Sequence, residues 1–165
     1  GEEEVRRNPN HIITRISWVF GENGNNFIKT MLKLADNYPE LRVVDDQIGS
    51  PTYTVDLAKL LVEMAETDKY GTYNVNNEGY CSWAEFADFI MKNNNKKTRI
   101  VPVTTEEYYA GTDTTYIAYR PRNSKKDTSK LEGAGFYKLP LWKDAVDRYC
   151  KKLTKNKKWW LENLK

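Results

Sequence analysis

Residues 45–58 read Asp-Asp-Gln-Ile-Gly-Ser-Pro-Thr-Tyr-Thr-Val-Asp-Leu-Ala, and few backbone paths satisfy them. A short strand must enter a tight turn, and the turn must open into a helix. Gly49 permits backbone conformations closed to other residues. Pro51 fixes its own φ and holds Ser50 extended. Gln47, Ser50, Thr52 and Tyr53 then carry amide and hydroxyl groups at the strand end. Asp56 is placed to cap a helix whose apolar face is Leu57, Leu61 and Met64. In open α/β sheets ligands lie beyond the carboxyl ends of strands. The turn is therefore either a ligand-facing loop or a plain strand-to-helix connection.

The same alternation runs through the chain. Residues 2–7 form the last turns of a helix that Asn8-Pro9-Asn10 stops. His11 to Phe20, with Ile12, Ile13, Ile16, Trp18 and Val19, reads as one buried strand. The loop 21–26 leads to a helix from about Asn26 to Asn37, and Leu41 to Val44 is a strand. A helix over 55–66 follows the turn, then a strand at 72–75. Ser82-Trp83-Ala84-Glu85 is a capping box, with Cys81 and Phe86 in the staple positions, opening a helix that buries Trp83, Phe86 and Ile90. Arg99 to Val101 is a further strand. From Pro102 to Asn123 no period survives: seven Thr and Tyr residues fall between Tyr108 and Tyr119. A structureless stretch this long in a compact domain is functional or disordered. A short helix near 128–132 and a last helix from Pro140, with Trp142, Ala145, Val146, Tyr149 and Leu153 at helical spacing, complete the pattern. Trp159 and Trp160 are a packing stripe or a partner contact. Strands alternating with helices define an α/β fold.

Composition narrows the function classes. The 165 residues are about one domain, and 39% hydrophobic content allows a core. A net charge of +3 is too small to argue for nucleic acid. No apolar run nears the roughly 20 residues of a membrane span, and no signal peptide is visible. Cys81 and Cys150 lie far apart, fitting a reducing, cytoplasmic setting. With His11 the single histidine, a His/Cys metal site is not expected. Gly21 to Gly24 lacks the spacing of a dinucleotide fingerprint. The chain opens on Gly1 without an initiator Met, like a cut inside a longer protein.

No Ser/His/Asp or Cys/His set can be assembled. Asp45-Asp46 beside Asp56 is a carboxylate pair or, as is commoner in turns, a cap and a solvated charge. The polar groups of interest sit at strand ends: Ser17-Trp18, Gln47 to Tyr53, and Arg120 to Ser124. Arg120 is either an anion ligand, since guanidinium grips phosphate through two parallel hydrogen bonds, or half of a salt bridge. The aromatic, hydroxyl-rich loop before it suits a sugar-nucleotide.

Five motifs in order sharpen this: Arg15-Ile16-Ser17-Trp18-Val19-Phe20-Gly21; Gly24-Asn25-Asn26-Phe27; Asp46-Gln47-Ile48-Gly49-Ser50-Pro51-Thr52 with Asp56-Leu57-Ala58; Gly71-Thr72-Tyr73; and Arg120-Pro121 with Asn123-Ser124. Together, from Gly1 to about Leu153, they resemble the C-terminal half of the dTDP-4-dehydrorhamnose reductase family, a group of extended short-chain dehydrogenase/reductases. The resemblance implies a Rossmann-like enzyme with a smaller substrate-binding region. Residues 1–46 would end the Rossmann-type sheet, 47–153 would form the substrate side, and 154–165 a basic helical tail. Enzymes of this family reduce the 4-keto group of a dTDP-6-deoxy-hexulose with NADPH, and Mg2+ is a candidate accessory ion. Their Tyr-x-x-x-Lys motif and Gly-rich loop would lie before Gly1, leaving this chain inactive alone. Carried over, Trp18 would contact the sugar, Ser17 and Phe20 would lie near the nicotinamide, and Asn25 and Asn26 would open the substrate-side helix. Gln47 and Thr52 would face the substrate region, and Arg120 the diphosphate, supported by Asn123 and Ser124. Ala110 to Tyr119 looks longer than is usual in the family, and the tail after Leu153 has no counterpart in it. The implied partners are the dTDP-sugar and the N-terminal half or another chain, with a homodimer as a candidate assembly. The competing reading is a non-catalytic binding or regulatory relative of the same fold.

Overall fold

The computed structural model describes residues 1–115 and 117–155. Trp159 and Trp160, with the rest of the tail from residue 156 onward, lie outside them. The chain begins with α1 (Glu2–Arg6), β1 (Ile12–Arg15), β2 (Val19–Phe20), α2 (Phe27–Ala35) and β3 (Glu40–Val44). The turn region follows as β4 (Ile48–Gly49), β5 (Thr52–Tyr53) and α3 (Thr54–Ala65). Next come β6 (Gly71–Asn74), β7 (Asn77–Glu78), β8 (Cys81–Ser82), α4 (Trp83–Asn93) and β9 (Arg99–Val103). The last part holds α5 (Thr105–Tyr109), α6 (Ser129–Gly133), β10 (Leu139–Leu141) and α7 (Trp142–Lys155).

Four strand pairs are parallel: β1 with β6, β2 with β5, β3 with β9, and β10 with β7. Among the described residues, only β4 and β8 run antiparallel. Parallel pairs joined through helices are the mark of an α/β fold. β1 has β6 on one side and no partner on its other edge among the described residues. Ile16 and Val19, just beyond it, are exposed.

Two cores flank α3. One gathers Phe20, Ile28, Tyr53, Phe86, Trp142 and Tyr149 between α2, α4 and α7. The other gathers Leu57, Leu60, Met64, Tyr73, Leu131 and Phe136. The capping box at Ser82 and Glu85 is formed in both directions, and every predicted apolar position of α7 is buried. Each large apolar side chain so buried contributes roughly 1.5–3 kcal/mol, so α7 clamps the first core.

The structure departs from sequence expectation in four places. The run 11–20 is not one strand; it breaks at Ile16–Trp18, where Trp18 adopts φ 46°. α3 buries Leu60, and Leu61 faces out. Asp56 does not cap α3, whose N-cap is Tyr53 with no side-chain bond; its carboxylate is turned to Arg148 instead. The stretch after Pro102 is not without structure: Thr104 and Glu107 form a second capping box, starting α5.

Candidate functional site

The turn at Gln47–Thr52 is where distant segments meet. β4 pairs with β8 on one side. On the other, Ile48 bridges in parallel to Asn123. Ile48 N–H donates to the Arg122 carbonyl at 2.8 Å, and Ser124 N–H to the Ile48 carbonyl at 2.7 Å. The end of the long loop is thus docked on the turn. Gln47 is buried, its Nε2 donating to Thr105 Oγ1 at 3.0 Å. Asp46 accepts from Thr105 N–H and Oγ1 (3.0 and 2.6 Å), and Asp45 accepts from Ser82 Oγ at 2.5 Å. The two carboxylates anchor helix starts and do not form an acid/base pair. Arg122 pairs with Glu106 at 2.9 Å and lies 3.7 Å from Asp46. Arg120 is exposed and has no ion pair or hydrogen bond among the described residues, which removes the salt-bridge alternative within them.

Trp18 packs against the same turn. Its left-handed backbone costs on the order of 1–3 kcal/mol for a non-glycine residue, and its carbonyl accepts from Thr52 N–H at 3.1 Å. Its indole stacks on Trp83 with centroids 3.7 Å apart and planes at 15°. A Cβ on Gly49 would sit 2.6 Å from its Cε2, so a side chain here would have to displace the Trp18 ring. Thr52 is fully buried, and its Oγ1 has no partner among the described residues.

A hydrogen-bonded chain not foreseen from the sequence holds this turn to α7. Ser17 Oγ donates to the Ser50 carbonyl (3.1 Å) and Asn76 Oδ1 (3.0 Å). Ser50 Oγ donates to the Asn77 carbonyl at 2.5 Å. The Asn77 side chain accepts from Tyr53 N–H and donates to Asp56 Oδ2, both at 2.8 Å. Asp56, 6% exposed, takes both arms of Arg148 at 2.9 and 2.7 Å. Asp56 first, and then Asp144, holds the Arg148 guanidinium further in its charged form.

A cleft of about 560 Å³ opens at the carboxyl end of β2, lined by Phe20, Gly21, Asn25, Asn26, Thr54 and Ala58 among others. Asn26 caps α2 by accepting from Lys29 N–H at 3.1 Å, and its Nδ2 donates to the Gly21 carbonyl and to Tyr149 Oη, both at 2.8 Å. Its polar atoms therefore shape the loop, while the neighbouring Asn25 side chain is exposed. The Phe20 ring lies in the core and the residue is 2% exposed, so it offers the cleft little ring surface. Lys29 Nζ, whose pKa is lowered by burial, donates to the carbonyls of Glu22 (2.5 Å) and Gly24 (2.7 Å). Gly21 has no room for a Cβ, which would meet Thr54 Oγ1 at 2.3 Å.

Tyr149 Oη donates to the Gly21 carbonyl at 2.9 Å, and burial pushes its pKa from 10.0 up to about 12. Between these values the unfolded chain releases the proton and the folded chain keeps it. This contribution is therefore complete below pH 10 and falls as pH rises towards 12. Urea unfolding from about pH 9 to about pH 11.5 should show an alkaline loss that is about 2 kcal/mol smaller in Tyr149→Phe than in the wild type, the remainder following the buried thiols of Cys81 and Cys150. An unchanged slope in the variant would place the alkaline loss elsewhere.

Cys81 and Cys150 are free and buried, and burial raises both thiols. Among the described residues no group of His, Cys, Asp and Glu could hold a metal ion, and no helix is long and apolar enough to cross a membrane. Of the sequence-selected residues, Trp18, Gln47, Thr52 and Asn123 converge on the turn, and Arg120 lies just upstream of the docked segment. Asn25, Asn26 and Phe20 line the cleft, and Ser17 joins the buried chain.

A family model described as the RmlD substrate binding domain matches residues 1–155. The spore coat polysaccharide biosynthesis protein SpsK of Bacillus subtilis is 45% identical over 150 residues, covering 90% of this chain and 50% of that protein. A dTDP-4-dehydrorhamnose reductase of Aggregatibacter actinomycetemcomitans is 40% identical, covering 84% and 49%. The crystal structure of dTDP-4-dehydrorhamnose reductase from Bacillus anthracis in complex with NADP superposes with a TM-score of 0.82 at 39% identity, over 92% of this chain and 51% of that one. The chain spans about half the length of the curated relatives it matches.

Proposed function

The chain belongs to the RmlD substrate-binding domain family, and from that premise we propose that it is the substrate-binding portion of an NADPH-dependent reductase acting on dTDP-6-deoxy-L-lyxo-4-hexulose to give dTDP-L-rhamnose. The observation that carries this reading is the docking of residues 122–124 on Ile48. It brings the segment of an arginine that is unpaired among the described residues to the turn against which Trp18 packs.

In this reading Arg120 holds the diphosphate, and Asn123 and Ser124 fix the loop that presents it. Trp18 meets the hexose and Asn25 offers its exposed amide. Gln47, Thr52 and Asn26 act as positioning residues, since their polar groups are buried or already engaged. NADPH supplies the hydride when bound and is held mainly outside this chain. Ser17 and Phe20 adjoin it through backbone, because the Ser17 hydroxyl is engaged and the Phe20 ring is core. The catalytic Tyr/Lys pair also belongs to the other half. Residues 1–46 complete its sheet, with β1 offering an open edge, and residues 47–153 form the substrate side. A carboxylate cluster for Mg2+ would likewise have to draw on residues outside those described, or on a second copy in a homodimer.

The test is NADPH oxidation in the presence of the dTDP-keto-sugar, with the parent protein and with the 165-residue chain alone. The parent is expected to turn over and the chain alone is not. Turnover by the chain would overturn the placement of the catalytic pair. A parent that binds the sugar nucleotide without turnover would favour a binding subunit of the same fold.

A further inference from the structure

Trp83 is the largest side chain at the turn to which the reading above gives no role. It is fixed from three directions. It is the first residue of α4, behind a complete capping box. The preceding Ser82 pairs with Ile48 and donates to Asp45. Phe27 packs on its ring at 4.6 Å, tilted by 49°. Against this anchored ring lies Trp18, stacked within 15° of parallel.

Gly49 closes on the same indole. A Cβ built there would lie 2.6 Å from Cε2, 2.7 Å from Cζ2 and 3.0 Å from Nε1. The nearest atom is the ring-fusion carbon, so the approach is over the ring face and not along its edge. The Trp18 ring is thus held between the Trp83 ring and the Gly49 backbone. Its own backbone is in the left-handed region, a conformation that persists for a bulky residue only where the surroundings over-determine it. With both faces occupied, the edge of the half-buried indole is what remains for a ligand. Its Nε1–H has no partner among the described residues.

We propose that Trp83 is a positioning residue: with Gly49 it clamps Trp18 so that the indole edge, not its face, is presented to the hexose of a bound sugar-nucleotide. This rests on Trp18 being the sugar-contacting residue, as proposed above. Loss of the clamp lets the ring tilt, and a misplacement of this kind acts on the sugar contact alone.

Calorimetry on the parent protein separates the possibilities, with dTDP and dTDP-L-rhamnose as the two probes. Trp83→Ala, which removes one jaw, and Gly49→Ala, which pushes the ring from the other side, should each weaken dTDP-L-rhamnose on the order of tenfold. Both should leave dTDP unchanged, and Trp83→Phe should restore most of the loss. A general packing defect would instead weaken both probes together, and that result in folded Trp83→Ala and Gly49→Ala would overturn the proposal. So would wild-type affinity for dTDP-L-rhamnose in either. Should Trp83→Ala not fold, Gly49→Ala and Trp83→Phe carry the test. Trp18→Ala tells the two levels apart. If it leaves dTDP-L-rhamnose affinity intact, the sugar-contact reading itself fails. If it weakens that affinity while the clamp variants do not, only the role of Trp83 fails.

Discussion

Replacing Asp56 with alanine is expected to destabilise the chain by about 3 kcal/mol, the range found when one partner of a buried ion pair is removed. The carboxylate is nearly inaccessible and accepts from three donors, two on Arg148 and one on Asn77. Without it the Asn77 amide loses a partner in a buried setting, and the Arg148 guanidinium keeps the Asp144 carboxylate and the face of the Tyr53 ring. Arg148→Ala should cost less than a fully buried partner would, because its side chain is 37% exposed, but it strands the Asp56 charge. The double variant should therefore be less harmful than the sum of the two singles, as for any coupled pair. Urea unfolding of the four proteins measures this. Additive losses, or a loss below about 1 kcal/mol for Asp56→Ala, would mean that the pair is no better than a surface contact.

Arg120→Ala in the parent protein should raise KM for the dTDP-sugar by about 10- to 100-fold, the equivalent of a charge-assisted hydrogen bond of roughly 1.5–3 kcal/mol. KM for NADPH should not change. The neighbouring Arg122 is the internal control. It is engaged by Glu106 and Asp46 at the surface, where ion pairs contribute about 1 kcal/mol or less, so Arg122→Ala should have a small effect on either constant. Equal rises in both KM values for Arg120→Ala would move that residue out of the diphosphate site.

Local chemistry was legible in the sequence, and long-range partnership was not. The Ser82–Glu85 box and the apolar stripe of α7 depend on residues a turn apart, and both stand as read. The second box, at Thr104 and Glu107, obeys the same rule but was hidden by the Thr- and Tyr-rich composition around it. The break at Trp18 was masked because β-branched and aromatic residues flank it on both sides. At the break the Trp18 ring packs on two residues distant in the chain, Trp83 and Gly49. Asp56 reads as a helix cap because an acid in a first turn commonly is one. The arginine that claims it is 92 positions away. At the site, residue types at strand ends could be selected from sequence, but not which polar atoms would be spent on the scaffold. Asn26 is the clearest case, since its two amide protons are spent on the scaffold and its oxygen caps α2.

The strand pairing also sets the order in which this chain can acquire structure. Among the described residues no strand pair is a hairpin. Val19 waits for Thr52, Ile12 for Gly71, Glu40 for Arg99, and Asn77 for Leu139. Contacts between residues so far apart in sequence must meet their loop-closure entropy before they reward it, and such topologies fold slowly. On a ribosome, β1 emerges long before β6 and passes that interval as an unpaired apolar segment. Early synthesis can furnish helices and capping boxes, whereas the turn that gathers the site forms only after the last third of the chain has arrived.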